Sequence, residues 1–206
     1  MPVLYFFRHG ETDWNAEGRL QGQTDIPLNA KGRLQATAIG EAIRAGRVEG
    51  IGHDRLVRLP FVASPMGRTR DTMALLRTGL GLSPDDYATD DRLIEIGFGR
   101  WEGSTWKEIV ARDPGGAQAR SRDKWNFVPP GGESYEMVRG RVAGWLESLQ
   151  GDTCLVAHGG VARVLMVMLA EVTPRNAVGA DIWQGKLLRI APGRHDWLPG
   201  PGHWEP

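Results

Sequence analysis

The stretch Val3-Leu4-Tyr5-Phe6-Phe7-Arg8-His9-Gly10-Glu11-Thr12 decides the fold. Its first five residues are apolar, partly aromatic and partly β-branched, and the run stops at Gly10. That pattern predicts a buried strand ending in a turn. In open α/β sheets, chemistry collects just beyond the carboxyl ends of strands. The turn therefore delivers a cation and an imidazole side by side to such a mouth. Arg8 suits a phosphoryl group, because its planar fork stays charged and donates several hydrogen bonds. A neutral His9 is a candidate nucleophile, and a neighbouring arginine disfavours its protonation. Taken alone, an Arg-His-Gly triplet is more commonly structural, so the reading rests on three further segments.

Phe61-Val62-Ala63 reads as a second short strand. Ser64-Pro65 reads as a helix start, with Ser at the cap and Pro at the first helical position. Arg68 then falls in or near the first turn, where free N–H groups and the helix dipole favour anions. Arg70 reads as a solvated surface arginine. Glu95 stands among Leu93, Ile94, Ile96 and Phe98. A carboxylate in apolar company is expected to have a raised pKa, as a general acid for an alkoxide leaving group requires. An exposed acid on an irregular strand is the alternative. Thr153-Cys154-Leu155-Val156-Ala157 is another buried-looking strand, followed by His158-Gly159-Gly160 and the apolar helix Val161 to Leu169. It repeats the arrangement around His9, with glycine allowing close backbone approach. His158 is either a donor to a phosphoryl oxygen or a satisfied core histidine.

These segments together resemble the histidine phosphatase superfamily, in its phosphoglycerate-mutase-like branch. The resemblance runs from Val3 to Ile190 and has a long N-terminal signature. That signature is Arg8-His9-Gly10-Glu11-Thr12-Asp13-Trp14-Asn15, Gly18-Arg19-Leu20-Gln21-Gly22, Asp25-Ile26-Pro27-Leu28-Asn29 and Gly32-Arg33-Leu34-Gln35-Ala36. Pro130-Gly131-Gly132-Glu133-Ser134 also matches, ahead of a helix carrying Arg141-Val142. Met66, Thr69 and Asn29 depart from the family's usual Leu, Ala and Thr, away from the implied chemistry. The match weakens beyond Arg163, and the stretch Asn176 to Trp183 has no assigned place.

The resemblance implies that His9 attacks phosphorus in line and becomes phosphohistidine. It implies that Arg8, Arg68 and His158 clamp the phosphoryl oxygens. Glu95 would protonate the leaving oxygen and then deprotonate the hydrolytic water. Asn15, Gln21, Thr24 and the backbone N–H of Gly159 would add substrate contacts. No metal and no cofactor are implied. This is the logic of phosphoryl transfer by positioning and charge stabilisation. Glu95-Ile96-Gly97-Phe98-Gly99-Arg100-Trp101-Glu102-Gly103 resembles the phosphatase members, which favours a phosphomonoesterase acting on a small phosphorylated metabolite. A phosphoglycerate mutase is the runner-up, and a non-catalytic phosphometabolite-binding protein the third reading.

Residues 1–206 suit one domain with a substantial core. Strands alternating with helices predict an α/β fold, a three-layer α/β/α sandwich with a largely parallel central sheet. The helix Lys31 to Ala45 carries Leu34, Ala38, Ile39, Ala42 and Ile43 on one side. The helix Ser134 to Leu149 carries Tyr135, Val138, Val142, Trp145 and Leu149. Lys186 to Ile190 reads as a late edge strand that could pair with another subunit, so a homodimer is expected. The region 106–130, broken at Pro114-Gly115-Gly116, reads as a cap or specificity loop. Its basic residues Arg120, Arg122 and Lys124 would hold a second anionic group, and Trp125 or Phe127 a ring. A solvated loop with core-packing aromatics is the alternative. The tail 192–206, rich in Pro, Gly and Trp, is expected to be irregular. Lys plus Arg and Asp plus Glu both number 25. That balance lacks the basic footprint of a nucleic-acid binder. The lone Cys154 is expected to pack in the core. The N-terminal apolar run is too short for a signal or membrane helix, so a cytoplasmic protein without a membrane partner is expected.

Overall fold

The structure, a computed structural model, describes residues 1–200. The strands are β1 (Leu4–Arg8), β2 (Phe61–Ala63), β3 (Ala88–Thr89), β4 (Thr153–Ala157), β5 (Leu187–Ala191) and β6 (Arg194–Trp197). The helices are α1 (Asp13–Ala16), α2 (Ala30–Arg44), α3 (His53–Leu56), α4 (Gly67–Leu80), α5 (Trp106–Arg112), α6 (Pro114–Arg122), α7 (Tyr135–Ser148), α8 (Gly159–Leu169) and α9 (Pro174–Ala177). The sheet runs β3-β2-β4-β1-β5-β6. Neighbours from β3 to β1 are parallel, and β5 and β6 are antiparallel additions.

Both faces are covered, which is why the central strands read as continuous apolar runs. Leu4, Phe6, Leu155, Ala157, Leu188 and Ile190 face a core shared with α7 and α8. Tyr5, Phe7, Cys154, Val156 and Leu187 face the other core, shared with α2 and α4. Cys154 is fully buried there.

Register sets the site. Arg8 lies opposite Ala157, and Ala63 opposite Val156. Three parallel strands thus end within one residue of each other, and the next residues, His9, Ser64 and His158, emerge at one edge. The turn after β1 is fixed by close packing on α2. A Cβ on Gly10 would strike the Gly32 carbonyl, and one on Gly32 would strike the Glu11 backbone. Gly10 N–H also donates to the Thr72 hydroxyl of α4 at 3.0 Å.

Several expectations need correction. α4 begins at Gly67, with Ser64 and Pro65 outside it. Its N-cap residue Met66 offers no side chain; instead Asp25 takes the Gly67 N–H at 2.6 Å. Leu34 is 62% exposed. It sits about 140° around the helix from Ile39, off the core stripe. The region 106–130 is largely two short helices rather than a loop. Pro114 opens α6 under an Asp113 side-chain cap, because its fixed φ suits a first helical position. Trp125 stacks on Tyr135 and Phe127 on Trp101, so both aromatics pack within the protein. The late strand β5 is internal. Gly193, at φ 72°, reverses the chain and supplies β6 as the edge strand. The expected irregular tail is therefore ordered over Arg194–Trp197, where Asp196 pairs with Arg189 at 2.8 Å across the two strands. The rest of that expectation, 201–206, lies outside the described residues. With β5 paired on both sides, the expected dimer contact through it has no free edge. No helix among the described residues is long and apolar enough to cross a membrane.

Candidate active site

The edge where β1, β2 and β4 end opens into a pocket of about 550 Å³, its mouth included. Arg8, His9, Asn15, Gln21, Arg68, Glu95 and Gly159 line it. His158 stands directly behind, its ring centroid 5.3 Å from that of His9. Thr24 is the exception among the expected contacts. Its side chain and N–H are tied to Glu102, at 2.5 and 3.0 Å, and it does not line the pocket. It acts through its carbonyl, which accepts from Arg68.

His9 is 2% exposed. Its Nδ1 lies 2.8 Å from the Gly10 carbonyl, which can only accept. Nδ1 therefore carries the proton and Nε2 presents a lone pair. Burial holds the His9 pKa well below the ordinary histidine value, and the charges of Arg68 and then Arg8 push it the same way. The ring stays neutral, as a nucleophile must.

Arg8 continues the alternation of β1 and donates through Nη1 to the Ile182 carbonyl at 2.9 Å. Burial, together with Arg163, pushes its pKa down to about 10, which leaves it charged at neutral pH. Arg68 is 1% exposed. Its Nη1 and Nη2 donate to the carbonyls of Thr24 and Gly22, at 2.9 and 2.7 Å. Glu102 braces that loop by accepting from the N–H groups of Gln23 and Thr24. Each guanidinium is thus aimed by backbone carbonyls, while its Nε is buried without a partner.

His158 is 0% exposed and precedes α8 as its N-cap. Its Nε2 is 2.8 Å from the Ser64 hydroxyl, and its Nδ1 is buried without a partner. If the hydroxyl gives its proton to Nε2, the ring proton lies on Nδ1, ready for an acceptor. Ser64 therefore contacts the site through His158 and is not the helix cap its sequence context suggests. Ser64→Ala is expected to lower kcat about tenfold, roughly the effect of one lost buried hydrogen bond. Ring ¹⁵N shifts check it: His158 should change tautomer, and an unchanged tautomer would remove Ser64 from this role.

Glu95 is not enclosed by apolar side chains. It is half-buried, and its Oε1 accepts from the N–H groups of Ile96 and Gly160, at 2.9 and 3.0 Å. A side chain on Gly160 would strike that oxygen. The carbonyl of Glu95 is gripped by Arg141 at 3.1 Å and by Gln23 at 3.2 Å. Arg141 is in turn paired with Glu133, which also takes the Gly97 N–H at 3.0 Å. That is the local function of the Pro-Gly-Gly-Glu-Ser segment. Asn15 is held by Thr12 and Gln184, the latter at 3.0 Å. Gln21 has an unpartnered buried Oε1. Gly159 opens α8, so its N–H has no helical acceptor.

Sequence reasoning missed Arg163, which lines the pocket and donates to the Ala180 carbonyl at 3.1 and 2.9 Å. It also missed Tyr135 as a wall residue. The four buried polar side-chain atoms without partners among the described residues are Arg8 Nε, Arg68 Nε, His158 Nδ1 and Gln21 Oε1. All belong to this one site. Two of them, Arg8 Nε and Arg68 Nε, are donors beside a neutral imidazole, an arrangement that suits an anion with several oxygens. Among the described residues, no three His, Cys, Asp or Glu side chains group as a metal site would require.

Comparison with known proteins agrees with this geometry. The family model described as the histidine phosphatase superfamily (branch 1) matches residues 4–198. "Probable phosphoglycerate mutase GpmB" of Salmonella paratyphi B is 32% identical over 194 residues, covering 92% of this chain and 81% of that protein. A phosphoglycerate mutase structure from Thermus thermophilus is 34% identical, with a TM-score of 0.69, covering 96% of this chain and 98% of that one. A structure from Escherichia coli K-12 named as a putative alpha-ribazole-5'-P phosphatase has a TM-score of 0.76 at 22% identity, covering 97% and 96%. That last likeness bears on the fold alone.

Proposed function

Because the chain belongs to the histidine phosphatase superfamily, branch 1, we propose that it is a phosphomonoesterase acting on a small phosphorylated metabolite through a phosphohistidine at His9. One observation carries the reading. The unpartnered buried nitrogens Arg8 Nε, Arg68 Nε and His158 Nδ1 belong to the same site as a His9 ring whose Nδ1 is already engaged.

In this reading His9 Nε2 attacks phosphorus, and the bond to the ester oxygen breaks as the N–P bond forms. The leaving alkoxide takes a proton from Glu95. Arg8, Arg68 and His158 carry the charge that spreads over the equatorial oxygens. Glu95, now a carboxylate, takes a proton from water, whose oxygen displaces His9 from phosphorus. Inorganic phosphate leaves and both groups return to their starting states. The cationic charge comes from arginines aimed in advance by carbonyls, so no reorganisation accompanies the reaction.

Phosphate release from p-nitrophenyl phosphate tests this. Turnover is expected to persist in a strong chelator, and vanadate is expected to inhibit by mimicking five-coordinate phosphorus. Loss of activity in chelator, restored by a divalent ion, would overturn the mechanism. Relatives named as phosphoglycerate mutases support a second reading, in which the phosphoryl group returns to the substrate. Conversion of 3-phosphoglycerate primed by a bisphosphate, without phosphate release, would select it.

A further inference from the structure

The segment between α9 and β5, which has no legible place in the sequence, lies along the end of β1. Gln184 pairs there with Arg8 in an isolated parallel bridge. Alternate residues of the segment each hold a side chain from another element. The Val178, Ala180 and Ile182 carbonyls take Lys124, Arg163 and Arg8. Gln184 continues the alternation with its side chain, whose Nε2 donates to Asn15 Oδ1 at 3.0 Å.

The other partners of Asn15 give that bond its meaning. The Thr12 N–H lies 3.3 Å from Asn15 Oδ1. A backbone N–H only donates, so the oxygen of the amide, not the nitrogen, faces Thr12. The Thr12 hydroxyl donates to the same oxygen at 3.1 Å. Oδ1 thus takes three donors, which occupies its lone pairs and fixes the amide plane. Nδ2 is the other branch of that plane. It has no acceptor among the described residues and is not one of the enclosed unpartnered atoms, so its N–H groups are reachable from the pocket that Asn15 lines.

The cap of α1 does not need Gln184. Its capping box is complete with Thr12 and Asn15 alone. The bond from Gln184, 169 residues away, instead ties the amide to the segment that already aims Arg8.

We propose that Gln184 is a positioning residue for phosphoryl recognition: by holding Asn15 Oδ1 it turns Nδ2 towards the bound group as a neutral donor beside Arg8. On the phosphatase reading, on which this rests, Ile182 and Gln184 aim a charged and an uncharged donor at the same phosphoryl group. Removing Gln184 should leave the cap in place and let the amide swing about its side-chain torsions, so that the donor is lost without a change in charge.

Titration of the ¹⁵N-labelled protein with inorganic phosphate tests it. In wild type the Asn15 side-chain NH₂ signal, assigned by its loss in Asn15→Ala, is expected to shift as phosphate binds. In Gln184→Met, which keeps the length and removes the donor, the shift should shrink. Phosphate should also bind about three- to tenfold more weakly, the scale of one hydrogen bond. The double variant Asn15→Ala with Gln184→Met should bind as Asn15→Ala alone, because Gln184 acts through Asn15. Losses that add in the double variant would make Gln184 a structural support of the segment and overturn the proposal. So would a wild-type Asn15 signal that ignores phosphate, or a Gln184→Met variant that binds phosphate as wild type does. In each of these cases, turnover of p-nitrophenyl phosphate by wild type would keep the phosphatase reading standing. Absence of both phosphate binding and monoester turnover in wild type would end both.

Discussion

In His9→Ala, turnover of a phosphomonoester is expected to fall by about four orders of magnitude or more, the scale seen when a covalent nucleophile is removed. No neighbouring group can take over. The other imidazole, His158, has Nε2 engaged by Ser64 and stands behind His9, outside the pocket lining. Cys154 is fully buried in the core behind the sheet, and burial pushes its thiol pKa up, away from the thiolate. The fold should persist, because β1 is held by β4 and β5 on either side. Acid-quench trapping supplies the second readout. Wild type should yield an acid-labile phosphoenzyme and His9→Ala none. Residual turnover above about 1% of wild type, far beyond what binding and positioning alone leave, would move the nucleophile elsewhere.

Acid should unfold this protein through its two site histidines. Burial, followed by Arg68, holds both His9 and His158 well below the ordinary histidine value. The unfolded chain binds protons at these rings as pH falls through about 6.5, while the folded chain does not. The unfolded state then holds more protons, so stability is lost on going down in pH. Above about pH 6.5 this contribution is flat. Each ring costs up to about 1.4 kcal/mol per pH unit while only the unfolded chain takes up its proton. Against a total of about 5–15 kcal/mol, that is a large fraction. The paired carboxylates Glu136, Glu11 and Asp90, whose pKa values are lowered, titrate only at more acid pH. Urea unfolding between pH 7.5 and pH 5, without phosphate, measures the slope. His9→Asn should roughly halve it. A flat profile in wild type would mean that the rings protonate within the native state.

The parts of the site legible in sequence share one property: each stands where a pattern changes. His9 and His158 end uniformly apolar runs and precede glycine, so strand, turn and imidazole could be read together. Arg68 follows a turn signal, although the helix starts at Gly67 because Asp25, distant in sequence, supplies its cap. Contacts made by backbone carbonyls were not legible. Gly22, Thr24, Val178, Ala180 and Ile182 act through oxygens that every residue has, so their side chains give no sign. Thr24 shows the resulting error: it was expected to contact substrate, and its carbonyl instead positions Arg68. Ser64 carried a real signal that pointed to the wrong partner. In the fold, the apolar alternation within the strands was readable. The edge was not, because β6 is made of Arg194, His195, Asp196 and Trp197, which resemble a polar tail.

The segment running from Val178 to Ile182 has a consequence at a distance. Because dipoles rather than carboxylates seat Arg8, Arg163 and Lys124, a molecule whose formal charges cancel at 25 against 25 keeps a local excess of positive potential at one mouth. Such a field draws dianions in from beyond contact range, and its pull weakens as dissolved salt shortens its reach. It does not distinguish arrival from departure. On the phosphatase reading, inorganic phosphate formed at His9 would have to climb out of the same well, so escape of the product would compete with bond breaking for control of each cycle.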